Sequence, residues 1–402
     1  MTSITTGGRR ILGELRRFIS GPPRRRRLLE LAAVFLRLGT TAFGGPAAHI
    51  AMLEEEVVRR RQWVSRQRFL DLLGATNLIP GPNSTEMAIH IGFDRAGWPG
   101  LLVAGACFIV PAALITLAVA WVYVRFGALP EAARVLYGVR PVIVAVVVQA
   151  LWNLGRTALR GPLLTVLAVL TASAGFLGVN ELTLLFGAGA IAAAAHLAAS
   201  RRRQGRSTMS AMVLGALPAA AGGSTAAFGL LPLFLFFLKV GAVLFGSGYV
   251  LVAFLHADLV DRWRWLTESQ LVDAVAAGQM TPGPVFTTAT FIGYVLGGLP
   301  GALVATAGIF LPAFVFVAAS GPLVPRLRRH PAAGAFLDGV NVGSFALILV
   351  VSWQLTRSSL VDVTTIFIAI ASFVLLLRFR VKSLWLIPAG ALIGLGLSWM
   401  SR

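Results

Sequence analysis

The chain has 402 residues, of which 57% are hydrophobic and only 13% charged, and a formal net charge of +19 from 35 basic and 16 acidic side chains. A soluble domain carries about 25% charged residues and disorder needs low hydrophobicity, so both classes are excluded. Apolar stretches near the roughly 20 residues of a spanning helix, not short alternating strands, predict an all-α polytopic membrane protein.

The chain opens with a basic arm, 1–27, holding Arg9, Arg10, Arg16, Arg17 and Arg24 to Arg27 against one acid, Glu14. No apolar core with a small-residue cleavage site follows within it. It therefore reads as a cytoplasmic arm and not a cleaved signal peptide. Arg and Lys collect in cytoplasmic loops and near anionic lipids. The expected partner of the charge is the bilayer; nucleic acid is not expected, because no soluble domain is there to hold it. Six apolar segments follow, near 28–53, 67–92, 98–125, 133–156, 162–178 and 182–199. After a linker, 201–230, six more lie near 231–256, 268–292, 300–320, 335–356, 362–378 and 383–400. The lone cysteine, Cys107, allows no internal disulfide.

The two sets are one unit written twice. "LRLGTTAFGGP" at 36–46 matches "LKVGAVLFGSG" at 238–248, an offset of 202 that also pairs Trp63 with Trp265, Asp71 with Asp273, and Pro-Gly-Pro 80–82 with 282–284. After one gap the offset is 201, pairing Gly92 with Gly293, Gly100 with Gly301, Pro111 with Pro312, Trp152 with Trp353 and Arg156 with Arg357. Matched Pro, Gly, Trp and Arg define a first repeat, 28–200, and a second, 231–402.

Loop charge predicts orientation. Six crossings from a cytoplasmic start place Arg156, Arg160 and Arg201 to Arg203 inside, but leave Arg59, Arg60, Arg61, Arg66 and Arg68 outside. The basic loops of the second unit run one crossing out of phase and face inside only if that unit starts outside. A crossing within the linker, for thirteen, or re-entrant Pro-Gly-Pro segments, for five per unit, both invert it. The expectation is two inverted-topology repeats with broken or re-entrant Pro-Gly-Pro helices and about 10–13 membrane segments, an architecture of transporters.

The breaks "NLIPGPNSTE" (77–86) and "QMTPGPVFTT" (279–288) are the first candidate sites. Proline cannot continue the upstream helix, and Gly81 and Gly283 allow the sharp turn. Irregular backbone survives in a bilayer only inside protein or beside a watery cavity. Asn83, Ser84 and Thr85 stand at the start of the downstream helix, with Thr287 and Thr288 as counterparts. Helix N-termini present free N–H groups and a positive dipole end that suit an anion; Asn83 with Glu86 also fits a structural capping box. The Gly-rich turns Gly44-Gly45 and Gly246-Ser247 are the second pair, for close helix packing or for a ligand. Arg37 and Lys239 are equivalent intramembrane cations, either functional or snorkelling to the interface. Arg140 faces the cavity or pairs with Glu131 or Asp94. Glu86 and His90, spaced i,i+4 on one helix face, are proton-coupling candidates. His49, His256 and Asp258 are proton groups or caps, and Asp71 with Asp273 reads as structural. No HExxH, GxSxG, Walker A or Cys/His metal spacing occurs, so no catalytic residue, metal or cofactor is expected.

"FGGP", "LIPGPNSTEMAIHIG" and "GWPG" followed by "FIVP", with the partner set "FGSG", "MTPGPVFTTATFIGY" and "GLPG" followed by "FLP", resemble the chromate ion transporter family in its long-chain, two-domain form. The resemblance covers about 28–402. It implies a bacterial or archaeal inner-membrane protein, N-terminus cytoplasmic, exporting chromate, with sulfate as the look-alike anion. The family's motifs map onto Phe43-Gly44-Gly45 with Phe245-Gly246-Ser247, and onto Pro80-Gly81-Pro82 with Pro282-Gly283-Pro284. Ser247 in place of a second Gly, and Glu86 facing Thr in the other copy, depart from symmetry. The expected function is chromate export driven by membrane potential, with proton coupling open and a homodimer as the oligomeric option. The alternatives are another oxyanion such as sulfate, or an intramembrane enzyme or lipid-handling protein using Glu86 and His90.

Overall fold

A computed structural model of the chain describes residues 24–43, 45–127, 129–203, 227–245, 248–328 and 331–400. Most of the arm 1–27 and of the linker 201–230, with its expected crossing, lies outside the described residues, as do Gly44, Gly246 and Ser247. The first unit runs α1 (Arg24–Thr41), α2 (Gly45–Leu53) with a π-helical turn Glu54–Arg60, α3 (Arg66–Thr76), α4 (Asn83–Phe126), α5 (Pro130–Ala158), α6 (Pro162–Phe176) and α7 (Glu181–Arg203). The second runs α8 (Leu230–Val243), α9 (Val250–Leu255) with a π-helical turn His256–Arg262, and α10 (Glu268–Met280). A 3-10 turn Val285–Thr287 follows, then α11 (Thr288–Arg328), α12 (Pro331–Ser359), α13 (Val363–Arg378) and α14 (Ser383–Met400). No strand occurs among the described residues. Among the described residues five helices are long and apolar enough to cross a membrane, and four shorter apolar helices accompany them. The fold is all-α and polytopic.

Turn chemistry repeats with the sequence. Ser65 caps α3 by accepting from the Arg68 N–H, and Thr267, 202 residues on, caps α10 in a capping box with Gln270. α4 and α11 each fold back at a left-handed glycine, Gly97 (φ +66°) and Gly298 (φ +60°). The arms touch through bare backbone: a Cβ on Gly100 would lie 2.1 Å from the Gly92 carbonyl oxygen, and one on Gly301 2.1 Å from that of Gly293. These glycines recur because only Gly permits that approach. α4 is thus a short arm, 83–95, antiparallel to a long arm, 98–126, and α11 likewise.

The first apolar segment of each unit, expected to cross, turns back instead. Arg37 of α1 meets Glu56 beyond α2 at 2.5 Å, so α1 and α2 form a hairpin with its tip at 42–45. α3 and the short arm of α4 form a second hairpin, closed at its mouth by Arg68 and Asp94 at 2.8 Å. Both mouths lie together: Arg95 pairs with Glu30 at 2.5 Å and sits 4.1 Å over the Trp63 ring. The long arm of α4 then runs roughly 40 Å, at 1.5 Å per residue, to an opposite end. There Tyr123 meets Asp273 of α10 at 3.0 Å, and Tyr137 meets Asp362, the N-cap of α13, at 2.7 Å. In that loop the Thr365 N–H, then the Tyr137 hydroxyl, hold the Asp362 carboxyl below its ordinary range. The hairpins of the second unit therefore open toward the end opposite to those of the first. The loop 54–68 falls on the same end as α1 begins, which removes the charge misfit that six crossings predicted.

Candidate functional site

The four hairpin tips converge. Gly81 (φ +135°) and Gly283 (φ +85°) hold backbone conformations that L side chains rarely adopt. Space is limiting at Gly283, where a Cβ would lie 2.5 Å from the Ala112 Cβ, whereas one on Gly81 would meet only the end of the Glu86 side chain, 2.3 Å from its Oε1. The Gly81 N–H donates to the Leu244 carbonyl and the Gly283 N–H to the Ala42 carbonyl, each at 2.8 Å. Each Pro-Gly-Pro break is thereby tied to the first tip of the other unit. The two glycines make the expected sharp turns, but these amides are bonded across the units and not free for an anion. Ala42 and Leu244 sit at helix C-termini, whose carbonyls lack intrahelical donors, and they claim the amides.

Between the tips lies a small cleft lined by His49, Gly81, Pro82, Asn83, Ser84 and Gly248, and by Pro284, Val285 and Phe286. Its volume is about 20 Å³, near the minimum that holds one water. A tetrahedral dianion does not fit until the tips part. Asn83 and Ser84 begin the short arm of α4, whose first-turn N–H groups end at the cleft. His49 links its own hairpin tip to the Pro-Gly-Pro tip of the same unit. Its Nε2 lies 3.0 Å from the Ala42 carbonyl and its Nδ1 3.3 Å from Ser84 Oγ. A carbonyl only accepts, so Nε2 carries a proton, and in the neutral ring Nδ1 accepts from Ser84. Asn83 Nδ2 donates to Asn77 Oδ1 at 2.9 Å.

Behind the cleft the two breaks differ. Glu86 and Thr85 are fully buried. Neither Glu86 carboxyl oxygen, nor the Thr85 hydroxyl, has a hydrogen-bond partner among the described residues. Across the interface Thr116 Oγ1 lies 3.1 Å from both Thr281 and Thr287 Oγ1. Thr287 donates to the Pro284 carbonyl at 2.9 Å and Thr288 to the Val285 carbonyl at 2.8 Å. Both predicted donors are therefore spent on their own turn, as mid-helix threonines often are. His90 is buried one turn beyond Glu86, 3.5 Å from Ser320 Oγ, and does not line the cleft. Gly45 (φ +77°) has open space where a side chain would be, so it serves the turn and not close packing.

None of the three predicted cations lines the cleft. Arg37 and Arg61 hold Glu56 at 2.5 and 2.7 Å. Lys239 and Arg262 pair with Asp258. Arg140 forks onto Asp273 with two bonds of 3.0 Å, in place of the expected Glu131 or Asp94. Glu56 and Asp258 are buried, and a buried charge needs a partner. These acids stand at the same offset of 202 as Arg37 and Lys239, and the matched signs were the available signal. His49 and Gly248 were likewise absent from the predicted ligand set. Among the described residues no cluster of His, Cys, Asp and Glu is suited to a metal.

The chromate transporter family model matches residues 29–195 and 231–395. The chain is 36% identical over 373 residues to the chromate transport protein of Cupriavidus metallidurans, covering 92% of each chain. It is 33% identical over 329 residues to the chromate transport protein of Pseudomonas aeruginosa, covering 79% of each. It is 31% identical over 350 residues to a probable chromate transport protein of Synechococcus elongatus, covering 86% of this chain and 89% of that one. No solved structure matches. These relatives are named as transport proteins, which sets the intramembrane enzyme reading aside. Two matched regions over nearly the whole chain make this protein a member of the chromate transporter family in its long, doubled form.

Proposed function

We propose that the chain exports chromate from the cytoplasm across the inner membrane through the cleft where its Pro-Gly-Pro breaks meet, using two inverted-topology repeats. The observation that carries this reading is the convergence of both breaks on one small cleft between the units, with His49, Asn83 and Ser84 in its lining. Asn83, Ser84 and Thr85 start a helix there, and helix N-termini favour anions without any carboxylate ligand. The second break supplies a short turn, Val285–Thr287. Arg37, Lys239 and Arg140 belong to ion pairs and set local potential without touching the anion.

The basic ends agree with a cytoplasmic N-terminus. Arg59 to Arg61, Arg66 and Arg68 share the end where α1 begins, and cytoplasmic faces collect such residues. An inside-negative potential contributes about 2.3 kcal/mol per charge per 100 mV, so roughly 4.6 kcal/mol favours exit of a dianion. Glu86 is the coupling group if protons take part. An unpartnered buried carboxylate is costly, so this packing accommodates the neutral acid; His90, on the same face, is the second candidate.

Accumulation of chromate in everted vesicles tests the reading. Uptake is expected to rise when the lumen is made positive. Uptake indifferent to potential removes the driving force proposed here. Sulfate competing at equal concentration makes this a general carrier of tetrahedral dianions, since backbone N–H donors do not tell one such ion from another.

A further inference from the structure

The two units are copies in sequence and unlike in packing. Leu70 of α3 is 48% exposed, whereas Val272, its counterpart in α10, is 1% exposed. Ala51 is exposed and Met52 half-buried, while Ala253 and Phe254 are buried. α3 buries Phe69, Leu72, Ala75 and Thr76; α10 buries every residue from Leu271 to Gln279. The cover over the second unit's hairpins comes from the long helices. Ile143 and Val146 of α5 and Leu347 and Val351 of α12 share one apolar cluster with 250–255. The cluster around the first unit's hairpins draws its buried members only from between Leu31 and Phe108.

One polar contact follows the same asymmetry. Asp273, 3% exposed, accepts a two-bond fork from Arg140 of α5 and a third bond from the Tyr123 hydroxyl, all at 3.0 Å. A planar guanidinium matched to both carboxylate oxygens is geometrically specific. The equivalent trio in the other half is Asp71, Asn341 and Val324. An amide and an aliphatic side chain cannot build that fork.

We propose that Arg140, Tyr123 and Asp273 form a one-sided clasp that holds the transporter closed at the second end and open at the first. Its alternate state docks the first unit's hairpins onto α12, with Asp71 beside Asn341. The inference rests on the transporter reading. Two copies of one unit can each adopt the other's pose, the usual basis of alternating access in inverted repeats. Here the pose of the second unit carries a charged fork that the first unit cannot reproduce, so the balance leans to the state described. Arg140 and Tyr123 are positioning residues and touch no substrate.

The test reads cysteine accessibility in the full chain with Cys107→Ser, without any anion. Leu70→Cys is expected to react quickly with a membrane-impermeant maleimide and Val272→Cys slowly. Asp273→Asn should slow the first and speed the second by on the order of tenfold. Asn341→Arg places a guanidinium at the position equivalent to Arg140 and leaves the clasp intact. It should shift both rates in the same two directions, and it decides the matter should Asp273→Asn fail to fold. Arg140→Lys should fall between wild type and Asp273→Asn. Folded Asn341→Arg protein with both rates unchanged, or with both rising together, overturns the clasp. Because no anion is present, that failure is distinct from a failure of chromate flux in vesicles.

Discussion

Around Gly81 the break packs against Ile79, Ile89, Leu101, Ala313 and Val317, and Glu86 there meets no hydrogen-bond partner among the described residues. Around Gly283 the equivalent positions are hydroxyls: Thr281 stands for Ile79, Thr287 for Glu86 and Thr116 for Val317, bonded to one another or to turn carbonyls. The backbone is shared, down to two left-handed glycines and two reciprocal amide bonds between units. The side-chain chemistry is not. Duplication preserved what the hairpin tips need geometrically. It left one break with satisfied neutral groups and the other with a carboxyl that nothing in the fold uses. Under the proposed function, the satisfied break serves as scaffold and the unsatisfied one carries the candidate coupling group.

The strongest way to break this comparison is to fill the glycines. Gly81→Leu and Gly283→Leu should both abolish vesicle transport. The alanine variants should separate the two breaks. Each adds roughly 1–2 kcal/mol of left-handed strain. At Gly283 the new Cβ also meets the Ala112 Cβ and the Gly39 carbonyl, which are held by α4 and α1. At Gly81 it meets the end of the Glu86 side chain, which can rotate away. Gly283→Ala should therefore lower the melting temperature further, by an extra overpacking cost of about 1–3 kcal/mol. Equal losses would mean that the breaks are mechanically alike.

The charge of Glu86 sharpens the contrast next. Glu86→Gln keeps shape and removes titration. Potential-driven chromate flux is expected to persist while its response to an imposed pH gradient disappears; Thr287→Val should leave that response intact. A pH response that survives Glu86→Gln assigns coupling elsewhere. Smaller effects belong to the hydroxyls. Ser84→Ala should weaken anion affinity by up to about tenfold, since a neutral hydrogen bond contributes roughly 0.5–1.5 kcal/mol, with stability little changed. Thr116→Val should do the reverse, costing stability of that same order with anion affinity unchanged, measured by thermal unfolding beside titration of purified protein.

Much of the molecule was legible in its residues. Matched Pro, Gly and Trp positions exposed the duplication, because the Gly92–Gly100 and Gly293–Gly301 contacts leave no room for a Cβ and the turns at Gly97 and Gly298 need a left-handed backbone. Pro-Gly-Pro marked the helix breaks, because proline ends a helix wherever it stands. The chain chemistry of Asn83, Ser84 and Thr85 pointed to the cleft they now border or back.

Partnership was not legible, because it depends on which helices meet. Arg37, Lys239 and Arg140 stood out as costly intramembrane cations, and only packing showed each of them bound to an acid from another turn or another unit. Gly81 and Gly283 read as turn residues at the breaks, and only packing showed their amides bonded to the tips of the opposite unit. The first apolar segment is long enough to cross, and length does not distinguish a span from a hairpin. The Arg37–Glu56 pair across the turn at 42–45 decides that it folds back, and with it the end on which the basic loop 54–68 lies. The sequence by itself determined the duplication, the breaks and the family; the tertiary structure alone decided which charges cancel and which carboxyl is left over, because neutralisation is a property of contacts and not of composition.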